Sequence, residues 1–312
     1  MQAPLEAGRA LARRGPSGTA HADALSSCPS QRLRQLAQLY PRPAAHQFFN
    51  LLASPECEVR LFGVFKVGTT FLTNLVVTKG ARIRRRPHVH SRCRTVEEWR
   101  DHSARADKNN ASHLATERAK YARLVQQTTS YFSAALTREP TERFLSGYHE
   151  HFVHFLRTPG QVAVRPNATR SARLESLERF VDRELTLAPA SSADGRHFSR
   201  DFHVAPQVTF LTDWLGRPHR IDYIGAGVGD SERMRRELHF LGLMNASGSL
   251  PRVTGAGRPA VVEDNFRRVH AHEVAGGGDA TARLQRKICT LLIADYCCLN
   301  YSFPPACAGL TC

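Results

Sequence analysis

Three short apolar runs punctuate an otherwise polar chain, and each stops where a helical pattern starts. Residues 59–65 read VRLFGVF and give way to Lys66-Val-Gly-Thr-Thr70. A continuous apolar run bounded by turn-forming residues predicts a buried strand, and residues 69–77 (TTFLTNLVV) predict a helix after a very short turn. Residues 130–137 (SYFSAALT) repeat the pattern and run into Arg138-Glu-Pro140. Proline suits the first helical turn, where its missing N–H would be unpaired anyway. Phe144, Leu145, Tyr148 and Phe152 then recur at spacings of three and four, the apolar stripe of a helix. A third strand is predicted over residues 220–225 (RIDYIG), with Asp230 or Ser231 capping the next helix.

The flanking segments are simpler. Residues 281–296 predict a last helix with Leu284, Ile288, Leu291 and Leu292 on one face, and residues 31–39 predict a short one that ends at Pro41. Residues 81–128 are polar and helical or looped, with Trp99 an anchor on the core. Residues 158–172 and 186–197 read as surface loops, and 246–260 and 275–280 as Gly-rich connections. No internal repeat is present. Strands alternating with helices predict an α/β fold with a mostly parallel sheet covered on both sides. The Ala-, Arg-, Pro- and Ser-rich residues 1–57 predict a loosely structured stem or leader, and 58–312 the folded domain that follows it.

A strand end that opens a helix is where open α/β sheets hold anions. In Lys66-Val67-Gly68-Thr69-Thr70, Gly68 permits close backbone approach. The N–H groups of residues 68–70 then face outward at a helix N-terminus, two hydroxyls add donors, and Lys66 adds a mobile charge. The glycine precedes no lysine, so this is not a Walker A loop. In the second segment Arg138 leaves a strand, and Ser146 lies two turns into the following helix. A guanidinium can clamp one phosphate in bidentate fashion while a hydroxyl adds a donor. The competing possibility pairs Arg138 with Glu139 or Glu142 and leaves Ser146 as helix filler.

Jointly the two segments resemble the signatures of sulfotransferases that use 3'-phosphoadenosine-5'-phosphosulfate. Lys66 to Thr70 resembles the 5'-phosphosulfate loop P-K-x-G-T-[TS], with Phe65 in place of its proline. REPTERFLS, residues 138–146, resembles the 3'-phosphate signature R-[DE]-P-x-x-R-x-x-S. The likeness is to the Golgi carbohydrate branch, helped by Tyr148, by His203-Val-Ala-Pro-Gln207 and by residues 221–225, and it spans about residues 59–303. The Gly-rich C-terminal signature of the cytosolic enzymes is missing. The resemblance implies a P-loop-like three-layer fold with a mostly parallel central sheet flanked by helices. It implies that Lys66 stabilises the leaving phosphate, that Val67, Gly68, Thr69 and Thr70 with Lys66 form the 5' loop, and that Arg138 and Ser146 hold the 3'-phosphate. The donor is then the co-substrate, and no metal is expected.

An acceptor hydroxyl needs a general base, and histidine suits neutral pH. In relatives it lies a couple of dozen residues before the 3'-phosphate arginine, a spacing His113 fits best. His88, His90 and His102 lie in the same interval, and His149, Glu150 and His151 on the 3'-site helix stay open as alternatives. A zinc site at His88, His90 and Cys93, or at His149 and His151, lacks a second ligand pair at metal spacing.

Charge narrows the partners. With 43 basic residues against 28 acidic, the net charge is +15, which favours anionic ligands. Eight arginines crowd residues 82–105 against Glu97, Glu98 and Asp101, either as a solvated face or as an acceptor surface. A nucleic-acid binder would interleave arginines with exposed aromatics, but the aromatics here follow core periodicity. A kinase-like enzyme would show the Walker lysine and a magnesium carboxylate. A non-catalytic polyanion- or glycan-binding protein is the remaining alternative. The expected partner is a carbohydrate acceptor, an extended or anionic glycan.

Sequons and cysteines speak to the compartment. Sequons begin at Asn110, Asn167, Asn245 and Asn300, and five of the eight cysteines follow residue 288. Both suit a glycoprotein with a disulfide-pinned tail in the Golgi lumen or another secretory compartment. No stretch reaches the roughly 20 apolar residues of a membrane span, so the expectation is that any anchor lies outside this sequence.

Overall fold

The computed structural model describes residues 25, 28–40, 51–54, 58–64, 67, 119, 122–123, 125–155, 169–186, 203–213, 215–225, 231–241 and 278–312. Four strands form one sheet in the order β1 (Leu51–Ser54), β2 (Val59–Phe62), β3 (Phe132–Leu136), β4 (Tyr223–Gly225). β2, β3 and β4 run parallel, and β1 joins antiparallel at the edge with Leu51 opposite Phe62. All four residues of β2 are buried in succession, as are Ser133 to Leu136 of β3, so both faces of these strands are covered. This is the burial expected of parallel strands inside a layered α/β protein. It is also why their sequences are apolar runs rather than alternations.

One residue breaks the apolar run. Arg60 is buried in β2, where its Nε donates to Ser133 Oγ at 2.5 Å. Its Nη1 and Nη2 donate to the carbonyls of Val125 (3.1 Å) and Arg220 (3.3 Å), and the guanidinium lies 5.4 Å from the Phe62 ring centre. A buried cation is tolerable only when its donors are satisfied in this way.

The helices are α1 (Ser30–Leu39), α2 (Pro140–Phe155), α3 (Arg170–Thr186), α4 (Ser231–Phe240), α5 (Asp279–Leu291) and α6 (Ile293–Cys298). They build two packed clusters. In the first, Leu61, Phe62, Ala134 and Leu136 of the sheet meet Leu33 of α1 and Leu238 of α4. In the second, Phe144 and Tyr148 of α2, Leu177 and Val181 of α3, and Leu284 and Ile288 of α5 come together. Lys287 Nζ ties α5 to α3 through Glu178 (2.7 Å) and Asp182 (2.8 Å).

Three local results add to or differ from expectation. α1 falls within the segment expected to be a stem or loosely docked leader, and Leu33 and Tyr40 there are each only 1% exposed. Burying side chains of that size contributes about 2 kcal/mol each, and Cys28 is disulfide-bonded to Cys298 just ahead of the helix. Gly216, at φ +73°, completes the dock, since a Cβ there would stand 2.6 Å from the Leu33 carbonyl oxygen. Second, α3 begins at Arg170 inside an expected loop. Third, the last helix is broken at Leu292, so that α5 and α6 are separate.

The tail beyond α6 is closely pinned. Asn300 at φ 54° follows the helix, and Tyr301 N–H bonds the Tyr296 carbonyl at 3.0 Å. That pattern is a Schellman ending with asparagine in its left-handed position. Cys289–Cys307 and Cys297–Cys312 close loops around it. Asn300 is exposed, and it is the one sequon asparagine among the described residues. No described helix is long and apolar enough to cross a membrane.

Candidate active site

Parallel pairing decides where the two signature segments go. Phe62 of β2 is in register with Ala135 of β3, and adjacent strands lie about 4.8 Å apart. The chain therefore leaves β2 toward residues 66–70 and leaves β3 toward Arg138 at the same end of the sheet. Val67 is buried in the first core cluster and anchors the start of the first segment. Lys66, Gly68, Thr69, Thr70 and His113 lie outside the described residues, as do His88, His90, Cys93 and His102. His149, Glu150 and His151 fall within the span of α2, and their side chains lie outside the described part of the chain.

The second segment can be built residue by residue. β3 ends at Leu136, and Thr137 prolongs the ladder, its N–H bonding the Gly225 carbonyl at 2.8 Å. Glu139 then caps α2: its carboxylate accepts the Glu142 N–H at 2.6 Å, and its carbonyl accepts the Arg143 N–H at 3.0 Å. An acceptor at the N-cap, proline at the first helical position and the first turn's orphan N–H satisfied make a complete helix start. The Tyr296 hydroxyl donates to Glu139 at 2.6 Å and meets Thr141 Oγ1 at 2.7 Å. Burial, followed by the adjacent Glu139 charge, pushes the Tyr296 phenol above its ordinary value, so it stays protonated.

Arg143, the second arginine of the signature, is fully buried. Its Nη1 donates to the Ala205 carbonyl, and its guanidinium lies 5.3 Å from the Phe210 ring centre. It is a pillar between α2 and residues 205–210 rather than a ligand. Gly147 lets these segments touch, because a Cβ there would sit 2.0 Å from the His203 carbonyl oxygen.

Arg138 stands at the mouth of the segment with its side chain 23% exposed, and its Nε bonds Glu142 Oε2 at 3.1 Å. The pairing weighed against a phosphate role is thus present. Such a pair, with Glu142 half exposed, contributes at most about 1 kcal/mol, so a doubly charged phosphate can outcompete it. Arg138 precedes the helix, and residues 142 and 146, four apart, lie one above the other along the face of α2. Ser146 is buried on α2.

Two contributors were not singled out by sequence reasoning. Gln207 is fully buried in the 3-10 turn Gln207–Phe210. Its amide accepts the Arg138 N–H at 2.9 Å and donates to the Arg138 carbonyl at 2.7 Å. Asp295 of α6 accepts the backbone N–H groups of Gln207 (2.7 Å) and Val208 (3.0 Å). The pattern His203-Val-Ala-Pro-Gln207 was the one signal in the sequence for Gln207, and Asp295 had none.

Burial pushes the Asp295 carboxyl up to about 6, against the pull of the Arg143 guanidinium and the two backbone donors. Because the folded-state value is raised, the native state holds the proton more tightly than the unfolded chain. The resulting stabilisation is complete below about pH 4 and is lost as pH rises through about 6. Two pKa units correspond to about 3 kcal/mol. The stability of the wild type relative to Asp295→Asn, from denaturant unfolding, is therefore expected to decline by a few kcal/mol between about pH 4 and about pH 7.5. A difference that stays constant over this range would contradict the assignment.

A mostly parallel sheet whose strand β3 runs directly into α2 makes the described part of the chain an α/β arrangement. The Sulfotransferase family profile matches residues 49–302, and the chain belongs to that family. Its fold is accordingly the P-loop-like three-layer arrangement, and its chemistry is sulfuryl transfer to an acceptor substrate. Comparison with curated proteins and with solved structures returns no match. The three disulfides among the described residues are compatible with a secretory or lumenal setting.

Proposed function

We propose that the chain transfers a sulfuryl group from 3'-phosphoadenosine-5'-phosphosulfate to a carbohydrate hydroxyl in the Golgi lumen. The observation that supports the donor assignment is the parallel pairing of β2 with β3, so that the chain leaves both strands at the same end of the sheet. In this scheme residues 66–70 cradle the 5'-phosphosulfate, and Arg138 with Ser146 takes the 3'-phosphate. The acceptor oxygen attacks sulfur while a base, His113 by spacing, removes its proton. The bond from sulfur to the bridging oxygen breaks, and 3'-phosphoadenosine-5'-phosphate leaves with its new charge stabilised by Lys66. Positioning and electrostatics carry the rate, by analogy with phosphoryl transfer.

The net charge of +15 supports an anionic or extended glycan as acceptor. The same charge is the observation that favours the second possibility, a polyanion-binding protein without turnover. Sequons and disulfides support the lumenal setting. Thermal unfolding distinguishes these cases. At a hundredfold excess over its Kd, a ligand adds about 2.7 kcal/mol, roughly 4–5 °C in Tm for a chain of this size. 3'-Phosphoadenosine-5'-phosphate is expected to produce that shift and ATP a much smaller one. A shift with ATP alone, or with neither nucleotide, would sink the donor assignment.

A further inference from the structure

We propose that Gln207 and Asp295 are positioning residues for the 3'-phosphate clamp, holding the Arg138 backbone in the orientation from which its guanidinium meets the phosphate. The inference rests on the donor assignment above. Arg138 lies between a strand and a helix, where neither the ladder nor the helix supplies partners for both of its backbone polar groups. The Gln207 amide satisfies both at once, accepting the N–H at 2.9 Å and donating to the carbonyl at 2.7 Å. A side-chain amide can do this because it carries a donor and an acceptor on one planar group; a carboxylate of the same length would repel the carbonyl.

Gln207 is itself immobilised. Its own N–H and that of Val208 are held by the two carboxylate oxygens of Asp295, and neither Gln207 nor Asp295 is exposed to solvent. Asp295 sits on α6, which the Cys28–Cys298 and Cys297–Cys312 disulfides fasten at its far end. The order of support is therefore α6, the 3-10 turn, the Gln207 amide, and the Arg138 backbone. Three segments distant in sequence converge on one arginine. A guanidinium gains from two parallel bonds only if its plane is preset, and small displacements forfeit much of that gain.

The discriminating measurement is a ratio that a merely structural role would not move. Affinities for 3'-phosphoadenosine-5'-phosphate and adenosine 5'-phosphate are measured on the full chain, and their quotient isolates the 3'-phosphate. Gln207→Met keeps the side-chain length and removes both hydrogen bonds. It is expected to lower that quotient about tenfold, the loss of a net hydrogen bond or more, while changing adenosine 5'-phosphate affinity less than about twofold. Asp295→Asn keeps the shape of the group and is expected to lower the quotient in the same direction by a smaller factor. It carries the test should Gln207→Met fail to fold. A wild-type quotient in whichever variant folds would overturn the positioning role and leave the donor assignment standing. If the wild type itself binds both nucleotides equally, the donor assignment falls and takes this inference with it.

Discussion

Replacing Arg138 with alanine is expected to weaken binding of 3'-phosphoadenosine-5'-phosphate by two to three orders of magnitude, with little change in the unfolding midpoint. Each hydrogen bond to a charged group contributes about 1.5–3 kcal/mol net, so a bidentate clamp at the lower end of that range accounts for about 3–4 kcal/mol. The stability side is small, because the side chain is partly exposed and its partner is the half-exposed Glu142. Adenosine 5'-phosphate should bind the variant as it binds the wild type. Arg138→Lys should be intermediate, retaining charge and losing the fork. Titration calorimetry with both nucleotides checks this. An equal loss for the two ligands would show that Arg138 acts on the fold of the site and not on the 3'-phosphate.

Lys66→Ala is expected to lower kcat about a thousandfold, the magnitude seen when one preorganised donor to a developing negative charge is removed. Donor affinity should change far less, because the charge on the bridging oxygen grows only as the sulfur–oxygen bond breaks. His113→Ala, assayed beside it, is expected to lose a factor of about 10²–10⁴ in turnover and to bind nucleotide normally. Near-normal turnover in the lysine variant would remove it from the chemical step. The same result in the histidine variant would move the base to another candidate, with His149, Glu150 and His151 next.

The central strands were legible because β2 and β3 are covered on both faces, and a short apolar run bounded by turn residues fits few structures besides a buried strand. The start of α2 was legible for a local reason as well, since Pro140 and the capping Glu139 act within one turn. α3 was not. Its apolar positions, Leu174, Leu177, Phe180 and Val181, are scattered through a strongly charged segment, and their stripe becomes evident only against α5. The break at Leu292 has no Pro or Gly to announce it, so the helical period of Leu284, Ile288, Leu291 and Leu292 runs up to it unchanged. The supports of Arg138 were hidden for a third reason. Gln207 lies 69 residues from Arg138, and Asp295 lies 88 residues from Gln207, separations that no local pattern records.

The bond between Cys28 and Cys298 spans 270 residues, and that span orders events during synthesis. At about 5–20 residues per second, Cys28 emerges from the ribosome roughly 15–50 s before its partner. Throughout that interval α1 has neither its disulfide nor the α6 surface near it, and the Cys28 thiol is accessible to oxidants and to the wrong cysteine. A chain cut short anywhere before Cys298 keeps that thiol. The bond thus closes only on a polypeptide made through its last helix, and a reactive Cys28 is a chemical mark by which unfinished chains can be told from finished ones.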